Sequence, residues 1–164
     1  MHAIGVDIGG TKIGIGVVND HGEILASTKV KTDAQDAESI NRDIATAVNM
    51  FAEDYEIGAV GVAAAGFIAS DRKTVSFAPN IAWRNYPLSE KISELITIDV
   101  PVIVENDANA AGWAEYRFGA GRDSTDMLML TIGTGLGGAI ISDGQLLRGK
   151  HGVAAELGHV RLVP

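Results

Sequence analysis

The chain opens with Ala3-Ile4-Gly5-Val6-Asp7-Ile8-Gly9-Gly10-Thr11-Lys12-Ile13-Gly14-Ile15-Gly16-Val17-Val18, and this stretch decides the fold. Ala3–Ile8 predicts a buried strand that breaks at Gly9-Gly10, and Lys12–Val18 predicts a second strand starting at once. The turn Asn19-Asp20-His21-Gly22 leads into a third strand over Glu23–Val30. Two close glycine-bearing turns between apolar runs signal an antiparallel meander.

Working outward, Ile40, Ile44, Val48 and Phe51 recur with the 3.6-residue period of one helix face, with Asp33 and Asp36 ahead of them where negative charge is favourable. Ala59–Ala65 is a short apolar run of the kind that forms a buried parallel strand after a crossover helix. A helix is expected over Leu88–Ile96, a strand over Val100–Val104 and an alanine-rich helix over Ala108–Phe118. Three meandering strands followed by alternating helices and strands make an α/β domain with a mixed sheet flanked by helices.

Gly119-Ala120-Gly121-Arg122-Asp123-Ser124 is expected to be a connection, dividing the chain into lobes at 1–120 and 121–164. Beyond it the opening pattern restarts: Met127–Ile132 as strand, a glycine turn, Ala139–Ser142 as strand, then a tight turn at Asp143-Gly144. This weak internal repeat points to duplicated halves. The second copy stops at Pro164 before any helix of its own, and a few strands alone cannot cover both faces of a sheet. The second lobe is therefore expected to be truncated here.

The composition is globular, with 46% hydrophobic and 21% charged residues. Twenty glycines in 164 residues exceed the roughly 7% of average usage, and they gather in two runs that mark backbone-contact sites. A net charge of −8 argues against a general nucleic-acid surface, which needs a basic patch. No cysteine is present, so no disulfide framework exists. No signal-peptide pattern or long apolar span occurs, which makes a cytoplasmic protein the expectation, with no membrane partner.

Several short segments carry candidate chemistry. Asp7-Ile8-Gly9-Gly10-Thr11-Lys12 places a carboxylate at a strand end beside two glycines, a hydroxyl and a lysine. That set can cradle a phosphate and hold a metal through water, because only a Cβ-free backbone lets N–H groups approach so closely. It is not a Walker A loop, since Thr11 precedes Lys12 and no helix follows; an ordinary hairpin turn is the alternative. Gly133-Thr134-Gly135-Leu136-Gly137-Gly138 matches G-x-G-x-x-G, but a dinucleotide fingerprint must open a helix, and Ala139-Ile140-Ile141 continues as strand. A phosphate nest in a hairpin fits better. Two such runs, each ending the first strand of a half, are more specific than either alone.

Glu105-Asn106-Asp107 follows an apolar strand and begins a helix, the position where open α/β sheets place function. Asp107 can act as general base toward a sugar hydroxyl and Asn106 can hydrogen-bond another; a helix cap is the competing role. Glu156 and His159 can accept from sugar hydroxyls, and His159 can bind zinc, although a structural zinc site takes four ligands, usually including cysteines. Asn80, in Ala78-Pro79-Asn80-Ile81-Ala82-Trp83, can read a hydroxyl or stabilise its own turn. Gly66, closing the run Val60–Ala65, lets a ligand approach the backbone.

Taken in order, Asp7-Ile8-Gly9-Gly10-Thr11-Lys12, Pro79-Asn80-Ile81-Ala82-Trp83, Glu105-Asn106-Asp107-Ala108-Asn109-Ala110-Ala111, Gly133-Thr134-Gly135-Leu136-Gly137-Gly138 and Ala155-Glu156-Leu157-Gly158-His159 resemble the ROK family (repressors, open reading frames, kinases), and within it the bacterial glucokinases. The resemblance runs from residue 1 to residue 164. It implies an actin-like ATPase (ribonuclease H-like) fold and ATP-dependent phosphorylation of glucose at its 6-hydroxyl. Asp107 matches the catalytic base. Gly66, Asn80, Asn106, Glu156 and His159 match the sugar site. Asp7 matches the position serving Mg2+ through water, and Gly9, Gly10, Thr11, Lys12, Gly133, Thr134 and Gly135 match the phosphate turns. Zn2+ at His159 would need ligands this sequence lacks, since the family's cysteine-rich loop would follow it. Family members run to roughly twice this length, as a duplicated two-lobed fold requires, and a homodimer or higher homo-oligomer is implied. Competing readings are a kinase for another hexose or N-acetylmannosamine, a polyphosphate-dependent kinase, or a non-catalytic sugar-sensing or dimerisation domain. A DNA-binding regulator of the family carries a preceding helix-turn-helix domain, which has no room before Ala3.

Overall fold

Alternating side chains make the opening meander. In β1 (His2–Ile8), Ile4, Val6 and Ile8 are buried while Ala3, Gly5 and Asp7 face outward. β2 (Lys12–Val18) buries Ile13, Ile15 and Val17 in the same way. These six residues pair across the hairpin as Ile4–Val17, Val6–Ile15 and Ile8–Ile13, so one face of the ribbon is wholly aliphatic. β3 (Ile24–Lys31) completes the meander against β2. The computed structural model describes residues 1–133 and 135–159, and its backbone contacts divide the chain into two compact units, at 1–106 and from Asp107 onward.

In the first unit the aliphatic ribbon belongs to one core with α1 (Ala37–Asp54), whose Ile40, Ile44, Val48 and Phe51 are all buried. Each such side chain contributes about 1.5–3 kcal/mol on burial. The Asp36 carboxylate caps the helix by accepting the Ser39 N–H at 2.9 Å, which satisfies a donor the first turn leaves open. The chain then returns as β4 (Ile57–Ala64). A small hairpin sheet follows, β5 (Phe67–Ile68), β6 (Val75–Phe77) and β7 (Arg84–Tyr86), then α2 (Leu88–Ser93) and β8 (Val102–Asn106). The main sheet has the order β3-β2-β1-β4-β8, antiparallel through the meander and parallel from β1 to β4 to β8. It is the mixed sheet the sequence predicts.

β8 runs two residues later than the expected Val100–Val104, and two further elements of this unit differ from expectation. The second helix stops at Ser93 instead of Ile96, because Asn49 of α1 captures the following chain: its Nδ2 donates to the Leu95 carbonyl at 3.2 Å and its Oδ1 accepts the Thr97 N–H at 2.8 Å. The β5-β6-β7 sheet was not predicted, since strands of two or three residues show no period. It is pinned by ring contacts instead. Trp83 is fully buried and stacks on Tyr86 at 5.5 Å with planes 8° apart, and the Arg84 guanidinium lies 4.0 Å from the centre of the Phe77 ring.

The second unit begins with α3 (Asp107–Phe118), then β9 (Met127–Ile132), β10 (Leu136–Ser142) and β11 (Gln145–Leu146) in the order β11-β10-β9, followed by a 3-10 turn at Leu157–His159. A lobe boundary at 120 would leave α3 with the first lobe. Its packing instead belongs to the second unit: a Cβ on Gly112 would lie 2.3 Å from the Ala139 Cβ, and one on Gly137 would lie 3.0 Å from the Ala108 Cβ. β10 also starts three residues before the expected Ala139, since Gly137 and Gly138 pair in register with Thr131 and Leu130. The Asp143-Gly144 turn has positive φ at both residues, 50° and 73°, the mirror-image turn that suits hairpin twist.

The repeat is visible residue by residue. The pairs Ile8–Ile13 and Ile132–Leu136 flank the two glycine turns, which aligns Ile4, Val6 and Ile8 with Leu128, Leu130 and Ile132. The first three are 0%, 2% and 1% exposed; their counterparts are 60%, 51% and 87% exposed.

Candidate active site

The carboxyl ends of three adjacent parallel strands collect most of the predicted residues of the first unit. Ile8 of β1 pairs with Ala64 of β4, and Ala64 with Asn106 of β8. One cross-strand row therefore ends the sheet, and each strand hands over there to a predicted segment: Gly9-Gly10, then Ala65-Gly66, then Asp107. Asp7 lies one position before the row, in register with Ala63 and Glu105. Such an edge is where open α/β sheets bind ligands.

At the end of β1 the turn is held from behind. The Gly9 N–H donates to the Lys12 carbonyl at 3.0 Å. Thr32, just past β3, donates its Oγ1 hydrogen to the Gly9 carbonyl at 2.9 Å and its N–H is received by the Thr11 carbonyl at 3.1 Å. With those carbonyls occupied, Gly10 and Thr11 stay exposed, and a Cβ on Gly10 would meet no atom within 4 Å. Among the described residues nothing packs against that side, so a glycine there leaves bare backbone open to approach. Lys12 and Asp7 are also exposed.

Gly66 is different: its φ is 158° and a Cβ would lie 2.4 Å from the Phe77 carbonyl oxygen, so only glycine fits. Its own carbonyl accepts from Asn106 Nδ2 at 3.1 Å, which joins two predicted sugar-site residues directly. Asn80 sits exposed in the loop after β6. Arg84 braces that loop by donating from Nη1 to the Ala78 and Trp83 carbonyls at 2.9 and 2.6 Å.

In the second unit Asp107 is the exposed first residue of α3, bonded directly to Asn106. Gly133 and Gly135 form the exposed turn between β9 and β10, closed by the Gly133 N–H donating to the Gly135 carbonyl at 3.0 Å. Thr134 lies outside the described residues. Glu156 is half-buried in a segment packed tightly on β10, where a Cβ on Gly158 would lie 2.4 Å from the Leu136 carbonyl oxygen and one on Gly138 would lie 2.8 Å from that of Ala155. His159 ends the 3-10 turn, and its side chain lies outside the described residues. Among the described residues no group of three or more His, Cys, Asp or Glu side chains could hold a metal. The carboxylate of Asp7 beside an open glycine turn suits a magnesium ion held through water; among the described residues no donor set for a four-ligand zinc site is assembled.

Some supporting residues carried no sequence signal. Thr32 has none, because its partners are 21 and 23 residues away. Neither Glu105 nor Arg72 has a role legible from local pattern; they form an ion pair at 3.4 Å. A cavity of about 380 Å³ is lined by Asp71, Arg72, Lys73, Ser89, Pro101 and Ile103, among others, and contains none of the predicted residues.

A glycine turn closes the hairpin of β1 and another closes the antiparallel hairpin of β9 and β10 in the second unit, and the chain has the actin-like ATPase fold. It belongs to the ROK family, which it matches over residues 3–164. It is 53% identical over 161 residues to a glucokinase of Streptomyces coelicolor, covering 98% of this chain and 50% of that protein. A glucokinase of Thermotoga maritima is 38% identical over 166 residues, covering 100% and 52%. The solved structure of a ROK family glucokinase from Streptomyces griseus in complex with glucose and AMPPNP superimposes with a TM-score of 0.90 at 52% identity, covering all of this chain and 52% of that one. The chain thus spans about half the length of the curated relatives it matches.

Proposed function

We propose that the whole protein is an ATP-dependent hexose kinase that phosphorylates glucose at its 6-hydroxyl, with Asp107 as general base. The observation that carries this reading is the row Ile8–Ala64–Asn106, which gathers a glycine phosphate turn, Gly66 and Asn106 at one sheet edge and delivers Asp107 as the next residue. The likeness to a glucokinase that binds glucose and AMPPNP supports the choice of sugar and donor.

In this mechanism the amides of Gly10 and Thr11, the Lys12 ammonium and the turn 133–135 hold the phosphates. Gly66, Asn80, Asn106, Glu156 and His159 orient the sugar through its hydroxyls. The 6-oxygen attacks the terminal phosphorus, its proton passes to the Asp107 carboxylate, and ADP departs with the electron pair of the broken bond. A magnesium ion near Asp7 would neutralise charge on the phosphates. Because the transferred group passes through a loose transition state, most of the work lies in positioning and electrostatics. A homo-oligomer acting in the cytoplasm completes the proposal.

A coupled assay on the full-length protein, offering several hexoses and N-acetylmannosamine with ATP or polyphosphate, tests substrate and donor together. Asp107→Asn should retain sugar binding while turnover falls about 10²–10⁴-fold, the usual worth of a general base. Turnover near the wild-type rate in that variant would refute the assignment.

A further inference from the structure

We propose that Arg72 is a positioning residue, holding the end of β8 so that Asn106 presents a fixed geometry to the sugar; its catalytic sense rests on the kinase reading above. β8 is the edge strand of the five-stranded sheet, paired with β4 on one side only. On its other side the turn between β5 and β6 supplies a substitute for a neighbouring strand. The Arg72 carbonyl accepts the Val104 N–H at 2.9 Å. Its Nη2 lies 3.4 Å from Glu105 Oε2, and Glu105 Oε1 in turn accepts the Asn106 N–H at 3.2 Å. Three consecutive residues, Val104, Glu105 and Asn106, are thus tied to Arg72 or to its ion-pair partner, and Asp107 comes next.

Two features separate this from an ordinary surface ion pair. The Glu105 side chain is only 13% exposed, against 40% for Arg72, so their attraction is screened less than between two fully solvated charges. Arg72 also has φ of 55°, a left-handed conformation that is unfavourable for a residue with a Cβ and persists only where the surroundings enforce it. They do so here. Asp71 accepts the N–H groups of Lys73 and Thr74 at 2.9 and 3.0 Å and the Thr74 hydroxyl at 2.8 Å. The Arg72 N–H donates to the Ala69 carbonyl at 3.0 Å and the Ala69 N–H to the Thr74 carbonyl at 2.9 Å. A turn locked on both sides aims one residue's carbonyl and side chain at the strand that ends in the site.

The test uses Arg72→Met, Arg72→Lys and Glu105→Gln in the full-length protein, with two readouts. By hydrogen exchange, Arg72→Met should lose protection at the Asn106 amide about tenfold or more relative to Ala64 of β4, and Arg72→Lys should restore part of it; equal protection overturns the proposal. In steady-state kinetics, Arg72→Met should lower kcat and raise the sugar KM while leaving the nucleotide KM unchanged, and adding Glu105→Gln should cost little more. Unaltered kcat and sugar KM, or parallel losses in both substrates and in Tm, also overturn it. If Arg72→Met does not fold, Arg72→Lys and Glu105→Gln carry both readouts. A wild-type protein that phosphorylates no sugar sinks the kinase reading alone, and the exchange result still decides whether Arg72 holds the strand end.

Discussion

Single residues at the sheet edge divide into those proposed to face a ligand and those that hold them in place. Gly10 is open because no described residue occupies its free side, whereas Gly66 is confined by the Phe77 carbonyl. Thr32 belongs to the holding group, and it can be tested without touching the phosphate-facing atoms. Thr32→Val preserves the shape and the N–H that reaches Thr11 but removes the hydrogen bond to the Gly9 carbonyl. Loss of one such bond costs about 0.5–1.5 kcal/mol, read as a lower denaturation midpoint. The loosened turn should also raise the nucleotide KM severalfold with the sugar KM unchanged, since the residues proposed to face the sugar lie outside this turn. An unchanged nucleotide KM would show that Thr32 has no part in shaping the turn.

Among the elements, the β5-β6 turn has the clearest electrostatic signature. Partial burial acts to raise the Asp71 pKa, but hydrogen bonds from Lys73 and Thr74 and the Lys73 charge outweigh it and leave the carboxyl below its ordinary value. A depressed folded-state pKa means that the stabilisation is complete above the unfolded value and is lost as pH falls through the folded one. The stability difference between wild type and Asp71→Ala should therefore be constant well above pH ~4, the range of an unperturbed aspartate, and close below it. Urea unfolding of both proteins across that range checks the sign. A gap that widens on acidification would mean that the carboxylate is not the stabilising form.

For the molecule as a whole, the duplicated hairpins expose a contrast in burial. Ile4, Val6 and Ile8 belong to the core that α1 completes, while Leu128, Leu130 and Ile132, their counterparts, stand in the open together with Leu136. A contiguous apolar face of this kind is unusual on a soluble monomer. The 164-residue chain by itself should bind a solvatochromic apolar dye, and Leu128→Lys with Leu130→Lys should abolish most of the signal. Equal dye binding by the double variant would place the apolar surface elsewhere. Among the described residues no helix is long and apolar enough to cross a membrane.

Periodicity and turn chemistry made the meander, the long helix, the parallel strands and the second hairpin legible before any coordinates, because each follows from the alternation of apolar residues and from glycine at the breaks. The motif Glu105-Asn106-Asp107 was likewise legible at the end of its strand. What the tertiary structure alone decided was which distant segments meet. Thr32 behind the glycine turn, Arg72 against Glu105, the close fit of Gly66 to Phe77 and the packing of α3 on the second sheet all join positions well separated along the chain. A linear pattern records which side chain is apolar and which backbone can bend; it does not record which carbonyl will lie 3 Å from which donor once the strands have been laid side by side.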